Sequence, residues 1–159
     1  MKVQDCQFIE IKIDNKAIEG ASEEPKYNKW IEGRVQGGID VVSGPQGAYF
    51  SPVNISAPMT QDMLSLYEKF ITRGYKTIQV TVVHRASDQY NPDYESQRYV
   101  YENCKMNALS VEPGEQTLMH MSFTFEGSVE MTYMLPNGKG TDLVKAGPTK
   151  FSVANNKLA

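Results

Sequence analysis

The side chains here that most readily bind metals or move protons are His84, His120, Cys6, Cys104 and the carboxylate pairs Glu23-Glu24 and Glu126/Glu130. No two of the histidines and cysteines stand at the local spacing of a metal site, and neither cysteine belongs to a C-x-x-C pair. The sequence therefore predicts free thiols, ordinary histidines and no metal. The glutamates lie in polar stretches, where nothing raises a carboxyl pKa towards the range useful for proton transfer. No G-x-S-x-G elbow, Walker A loop, G-x-G-x-x-G turn or H-E-x-x-H helix is present, so the chain reads as non-enzymatic and without a cofactor. A last constellation interleaves Tyr90, Tyr94, Tyr99 and Tyr101 with Arg85, Arg98 and Lys105, the composition of a stacking platform for single-stranded nucleic acid. Tyrosine is equally a favoured strand residue, and a net charge of −3 gives no general attraction to phosphate.

Most elements that must position these residues have the two-residue period of strands. Phe8–Asp14 alternates Ile9, Ile11 and Ile13 with Glu10 and Lys12. Asn15–Lys29, which carries EGASEEPKYNK, is a polar surface excursion, after which Trp30–Val35 resumes extended structure and Ile39–Val42 continues it past Gly37-Gly38. Ser43–Gly47, SGPQG, reads as a mobile turn or long loop with no regular ladder, and Ala48–Ile55 as the next strand. Thr77–Arg85 alternates again, placing His84 on the face of Ile78, Val80 and Val82, and Gln97–Cys104 follows the loop at Asn91-Pro92. Gln116–Met134 is the longest strand signal. Its odd positions, from Met119 to Tyr133, are apolar, while its even positions His120, Ser122, Thr124, Glu126, Ser128, Glu130 and Thr132 form a polar face, with Gly127 as a bend or bulge. The tail beyond the Pro-Asn-Gly turn is a Gly- and Lys-containing loop that adds at most a short strand around Phe151 and Val153.

One stretch breaks this pattern. Thr60–Gly74 places Met63, Leu66, Tyr67, Phe70 and Ile71 at three- and four-residue spacing, one apolar stripe of a helix over about residues 60–73. Thr60 is placed to cap it, Asp62 to complement its positive end and Gly74 to take the left-handed position that ends it. The fold class is therefore mainly β, a two-sheet β-barrel with one α-helix packed on its outside.

At 159 residues, with no Pro/Ser/Gly-rich linker, the whole of 1–159 reads as a single domain, and 40% hydrophobic residues with nine Tyr and six Phe suffice for a core. No apolar run approaches the roughly 20 residues of a membrane-spanning helix, and MKVQDCQFIE lacks the apolar segment of a cleavable signal peptide. Synthesis into the cytoplasm without membrane insertion is the expectation.

The order of elements resembles that of the Hcp family, the haemolysin-coregulated tube proteins of bacterial type VI secretion, related in fold to phage tail-tube proteins. FIEIKID opens the chain, an acidic excursion leads to WIEGRV, and VVSGPQGAYF stands where the family has a Ser- and Gly-rich loop. FSPVNISAPMTQDMLSLYEKF is similar to its strand into the helix, and GYKTIQVTVVHR to the strand that follows. VEMTYMLPNGKG and the tail AGPTKFSVANNK, similar to an A-G-x-x-F-x-x-N-K ending, are the most specific parts. The chain departs from the family at ENCKMNALSV, in the displaced Pro58-Met59-Thr60, and in the register of ASDQYNPDY.

The resemblance implies a structural subunit that closes into hexameric rings and stacks them into a tube carrying or chaperoning effectors. A spike protein of the VgrG kind and a contractile sheath are its implied partners, with cytoplasmic assembly and then secretion without a cleavable signal peptide. Under this reading Ser43, Gly44, Pro45, Gln46 and Gly47 form a loop between stacked rings, and the even face of Leu118–Thr132 turns to the lumen or the outer solvent. Two other readings share the strand pattern: a monomeric β-barrel binding a small ligand within its apolar face, and a nucleic-acid-binding barrel using the tyrosines.

Overall fold

A computed structural model describes residues 7–35, 40–87, 89–153, 155 and 157–158. Cys6, the Gly37-Gly38 break and Ile39 lie outside the described residues. The strands are β1 (Gln7–Ile13), β2 (Lys16–Ala17), β3 (Ile31–Glu32), β4 (Arg34–Val35), β5 (Val41–Gly44), β6 (Gly47–Phe50), β7 (Val53–Pro58), β8 (Ile78–Ala86), β9 (Tyr94–Glu112), β10 (Leu118–Pro136), β11 (Leu143–Ser152) and β12 (Lys157–Leu158). A single α-helix, α1 (Met63–Thr72), stands between β7 and β8.

Ten of the strands form one sheet, ordered β12-β11-β10-β9-β8-β1-β2, with β7 added to β10, β4 to β7 and β3 to β1. The remaining β5 and β6 make a separate two-stranded ribbon. The mainly β class with one helix is thus found, and the barrel is corrected to a rolled sheet without a continuous closing ladder. Ile31 and Glu32 pair with Ile9 and Phe8 of β1, whereas Arg34 and Val35 pair with Ser56 and Ile55 of β7. Gly33 is the step between these two partners. A Cβ there would stand 2.9 Å from the Ser56 carbonyl oxygen and 3.1 Å from the Ala57 Cβ, so only a residue without a side chain lets the crossing strand approach so closely.

The odd positions of β10 form the floor of the core, with Met119, Met121, Phe123, Phe125 and Val129 all buried. Against them β9 presents Tyr99, Tyr101, Cys104, Met106 and the partly buried Leu109, whose spacing is not the regular two of a flat strand. The register slips explain it: Ser122 faces Ala108 but Phe123 faces Met106, and Phe125 faces Cys104 but Ser128 faces Glu102. Each slip passes over an asparagine of β9, Asn107 and Asn103, the latter at φ 54°. Bulges of this kind re-aim side chains and bend the strand. Read for strict alternation, Gln97–Cys104 and the extended piece after it look like separate segments; they are one 19-residue strand. Gly127 lies at the second slip, where a Cβ would meet the Glu102 carbonyl oxygen at 2.8 Å, as the expected bend requires. The tail is a further correction, because Leu143–Ser152 is a ten-residue strand paired along β10 rather than a loop.

α1 buries Met63 and Leu66 completely and rests Tyr67 and Phe70 against the core. Two such fully buried side chains contribute about 1.5–3 kcal/mol each. Ile71, expected on the same stripe, is 63% exposed. The ends also differ from expectation. Asp62 occupies the N-cap position without a side-chain cap bond. Its Oδ2 instead accepts the Glu19 amide at 2.7 Å, and the Thr60 hydroxyl donates to the Glu19 carbonyl at 2.9 Å. The capping residues thus fasten the helix start to the acidic excursion. At the other end Arg73, not Gly74, takes the left-handed conformation (φ 53°), and the Arg73 and Gly74 amides bond to the Phe70 and Lys69 carbonyls.

The excursion itself is no loose surface loop. A 3-10 turn at Pro25–Tyr27 lays Tyr27 on Phe8, with ring centroids 4.6 Å apart, and Trp30 against Tyr27 at 5.1 Å. These rings and Val83 make a second small core on the outer side of β8, so Thr81 and Val83 are buried as well as Val80 and Val82. Arg85, its side chain only 8% exposed, lies over Phe8 and Tyr27 and pairs with Glu24 at 3.1 Å and Asp93 at 3.3 Å. Two carboxylates and two ring faces satisfy a guanidinium that would otherwise be costly to bury.

Candidate functional site

SGPQG, predicted to leave no ladder, is the tip of a regular β-hairpin. Ser43 pairs with Ala48 and Gly44 with Gly47, and Pro45-Gln46 make the turn, with Gly47 at φ 119° where a Cβ would be strained. Behind it Val42 faces Tyr49 and Val41 faces Phe50. The residues that give the ribbon its character are therefore the β-branched and aromatic flanks rather than the SGPQG tip. A run of such residues on each side of a two-residue turn is a hairpin signal legible in the sequence.

Val41, Val42 and Tyr49 are 53%, 64% and 52% exposed, and neither ribbon strand pairs with the main sheet. Phe50 alone turns inward: its ring lies 5.1 Å from Phe125 and 5.5 Å from Phe151. The Ser51 amide adds a bond to the Asp40 carbonyl across the ribbon base. A two-stranded ribbon with Val41, Val42 and Tyr49 exposed and Phe50 as its aromatic root is poorly matched to water and well matched to another polypeptide.

The polar residues of β10 lie beside short polar side chains of its neighbours. His120 bridges three strands, its Nδ1 2.7 Å from Ser56 Oγ on β7 and its Nε2 2.7 Å from Glu112 Oε2 on β9. Ser122 stands between Asn54 and Ala108, and a groove of about 260 Å³ runs here past Asn54, Ser56, Ser110 and His120. Thr124 is paired with Lys105, whose ammonium reaches Glu126 at 3.1 Å. Ser128 departs from the expected wet face: it is buried and donates to Glu102, which also meets Lys150 at 3.6 Å. Glu130 and Thr132 continue the half-exposed row opposite Val100 and Arg98.

Serine, histidine and carboxylate in a chain invite comparison with a hydrolase. The Ser56 backbone, however, lies in ladders with β4 on one side and β10 on the other, and no helix start offers the free amides of an oxyanion hole. The arrangement ties β7, β10 and β9 together on their polar side.

Other candidates disperse. His84 on β8 packs edge-on against Tyr99, and burial lowers its pKa. It stands two strands away from His120 in the sheet order. Burial pushes the Cys104 thiol up to about 12, leaving it without thiolate character. Among the described residues no group of three His, Cys, Asp or Glu side chains could hold a metal ion. Tyr99 and Tyr101 are core residues, Tyr99 bonding to Gln97 and Tyr133, while Tyr90 is exposed, so the four tyrosines make no common platform. Glu24 serves Arg85 and Glu126 serves Lys105, and neither forms a carboxylate pair. The odd-face methionines and aromatics of β10 pack as core rather than line a cavity. Among the described residues no helix is long and apolar enough to cross a membrane.

A sheet rolled around one apolar face, a helix on its flank and a separate two-stranded ribbon define a β-rich scaffold. No family model and no curated protein matches the sequence. Solved structures do match it over nearly its whole length. Hcp1 from Salmonella typhimurium superposes with a TM-score of 0.69 at 17% identity, covering 97% of this chain and 99% of its own. The secreted protein Hcp3 from Pseudomonas aeruginosa gives 0.65 at 13% identity, covering 92% and 97%. The anti-feeding prophage baseplate gives 0.50 at 9% identity, covering 79% and 91%. This chain has the fold of the Hcp proteins of type VI secretion.

Proposed function

We propose that this protein is a structural tube subunit of a bacterial type VI secretion system. Copies close into hexameric rings, rings stack into the inner tube, and effectors are carried or chaperoned within it. The observation that carries this reading is the superposition on Hcp1 over 97% of this chain and 99% of the other. The ribbon supports it. Val41, Val42 and Tyr49 present apolar surface, which a neighbouring subunit would cover. In this reading Ser43–Gly47 reaches the adjacent ring, the polar row from His120 to Thr132 lies towards lumen or outer solvent, and a spike of the VgrG kind and a contractile sheath are the partners. Assembly takes place in the cytoplasm and secretion follows.

A head-to-tail interface closes when the rotation between copies suits the ring. Light scattering across a range of concentrations is therefore expected to give a species of about six protomers, seen by electron microscopy as a ring with a central hole. Dissociation into protomers on dilution agrees with this, provided the large species is of one size. A protein that stays monomeric at high concentration refutes it.

A further inference from the structure

The end of α1 carries a surface apart from the ribbon and from the polar row of β10. A hollow of about 610 Å³ opens between the last turn of the helix and the middle of β9. Phe70, Tyr75 and Met106 line it from the core side, Ile71 stands at its rim, and Arg73 and Lys105 supply its charges. No carboxylate lines it. Leu64, seven residues before Ile71 and so on the same side of the helix, is 47% exposed and extends the apolar strip.

Lys69 and Lys76 belong to a neighbouring region, where both act on Asp14 and Lys69 lines a separate hollow with Asp14 and Asp62. Among the described residues Arg73, Lys69 and Lys76 have no ion pair, and Lys105 has one, with the exposed Glu126. Asp14 accepts the Lys76 and Thr77 amides at 2.9 and 2.8 Å and is held ionised by them and by the charges of Lys69 and Lys76. The left-handed turn at Arg73 directs its amide back to the helix carbonyls, and the residue lines the hollow. In a chain of net charge −3, Arg73 and Lys105 thus set positive charge beside exposed apolar area.

We infer that the C-terminal end of α1 and the adjoining face of β9 form a docking surface for an acidic segment of a second protein, anchored by a bulky apolar side chain in the hollow. The cations select the charge, and Phe70, Tyr75 and Met106 accept the anchor. A two-fold contact of this hollow with the same hollow of another copy would gather the Arg73 and Lys105 charges of both, a like-charge juxtaposition that opposes it.

The test uses the intact protein in its own assembly state and a short labelled peptide in which Asp and Glu alternate with Leu and Phe. A counterpart with Lys replacing each acid is the control. Saturable binding of the acidic peptide by fluorescence anisotropy is expected, absent for the basic one and weakened by added salt. Both Arg73→Glu and Ile71→Ser, at exposed positions where the fold tolerates change, should weaken it about tenfold. Circular dichroism checks that both variants remain folded. Absence of saturable binding, equal binding of the basic peptide, or binding unmoved by both variants overturns the inference. So does a fall in assembly mass on Arg73→Glu, which would give the surface to another copy of the chain. None of these outcomes bears on whether the wild-type protein forms rings.

Discussion

Replacing Phe50 by Ala removes the single inward side chain of the ribbon while leaving its turn and exposed face unchanged. The ring contributes two aromatic contacts, to Phe125 at 5.1 Å and to Phe151 at 5.5 Å. At about 0.5–1.5 kcal/mol per aromatic pair, their loss comes to roughly 1–3 kcal/mol of ribbon docking. This falls on a local equilibrium, because β5 and β6 pair only with each other and the ten-stranded sheet stays complete. Local opening of the ribbon should therefore increase between about fivefold and a hundredfold. Hydrogen exchange read by mass spectrometry is the assay. Peptides covering Val41–Phe50 should exchange faster by that factor, while those from β8 and the β9–β10 core keep their protection. Val42→Ser, on the exposed face opposite Tyr49, should leave exchange in the isolated subunit nearly unchanged and weaken assembly. Uniform loss of protection across the sheet in Phe50→Ala would refute the local account, as would unchanged exchange in the ribbon.

Three further substitutions probe the scaffold. Asp14 holds the Lys76 and Thr77 amides, and these bonds keep its carboxyl below the ordinary value of 3.8. A depressed folded-state pKa stabilises above the unfolded value and loses that contribution as pH falls through the folded one. The stability gap between wild type and Asp14→Asn, measured by urea unfolding, should therefore be full at neutral pH and shrink in acid; a gap independent of pH contradicts this. Gly33→Val forces a Cβ to within 2.9 Å of the Ser56 carbonyl and should cost about 1–3 kcal/mol by the same method, with an unchanged midpoint counting against the crossing-strand account. Arg85→Met leaves Glu24 and Asp93 without their cation and removes the charge over Phe8 and Tyr27. It should cost about 1–3 kcal/mol and raise exchange around Pro25–Tyr27, and undisturbed protection there would show that the rings hold the excursion alone.

What the sequence determined by itself is what depends on a residue's near neighbours. The period of two in Phe8–Asp14 and along the odd positions of β10, and the three- and four-residue spacing of Met63, Leu66 and Phe70, are consequences of backbone geometry. They identify strands and a helix wherever one face is buried. The tertiary structure decided matters that no local window contains. Thr60 and Asp62 have the chemistry of caps, yet Glu19 on another segment takes both side chains. Val83 is enclosed on the outer side of β8 only because Tyr27 and Trp30 fold over it there. Tyr99, Tyr101, Cys104, Met106 and Leu109 show no single period because Asn103 and Asn107 shift the strand against β10, and only the partner strand defines where a bulge falls. The ribbon divides between the two. Its hairpin was legible in Val-Val and Ala-Tyr-Phe around a short turn, but its role as a projecting surface follows from Phe50 finding Phe125 and Phe151, residues far along the chain that only folding brings beneath it.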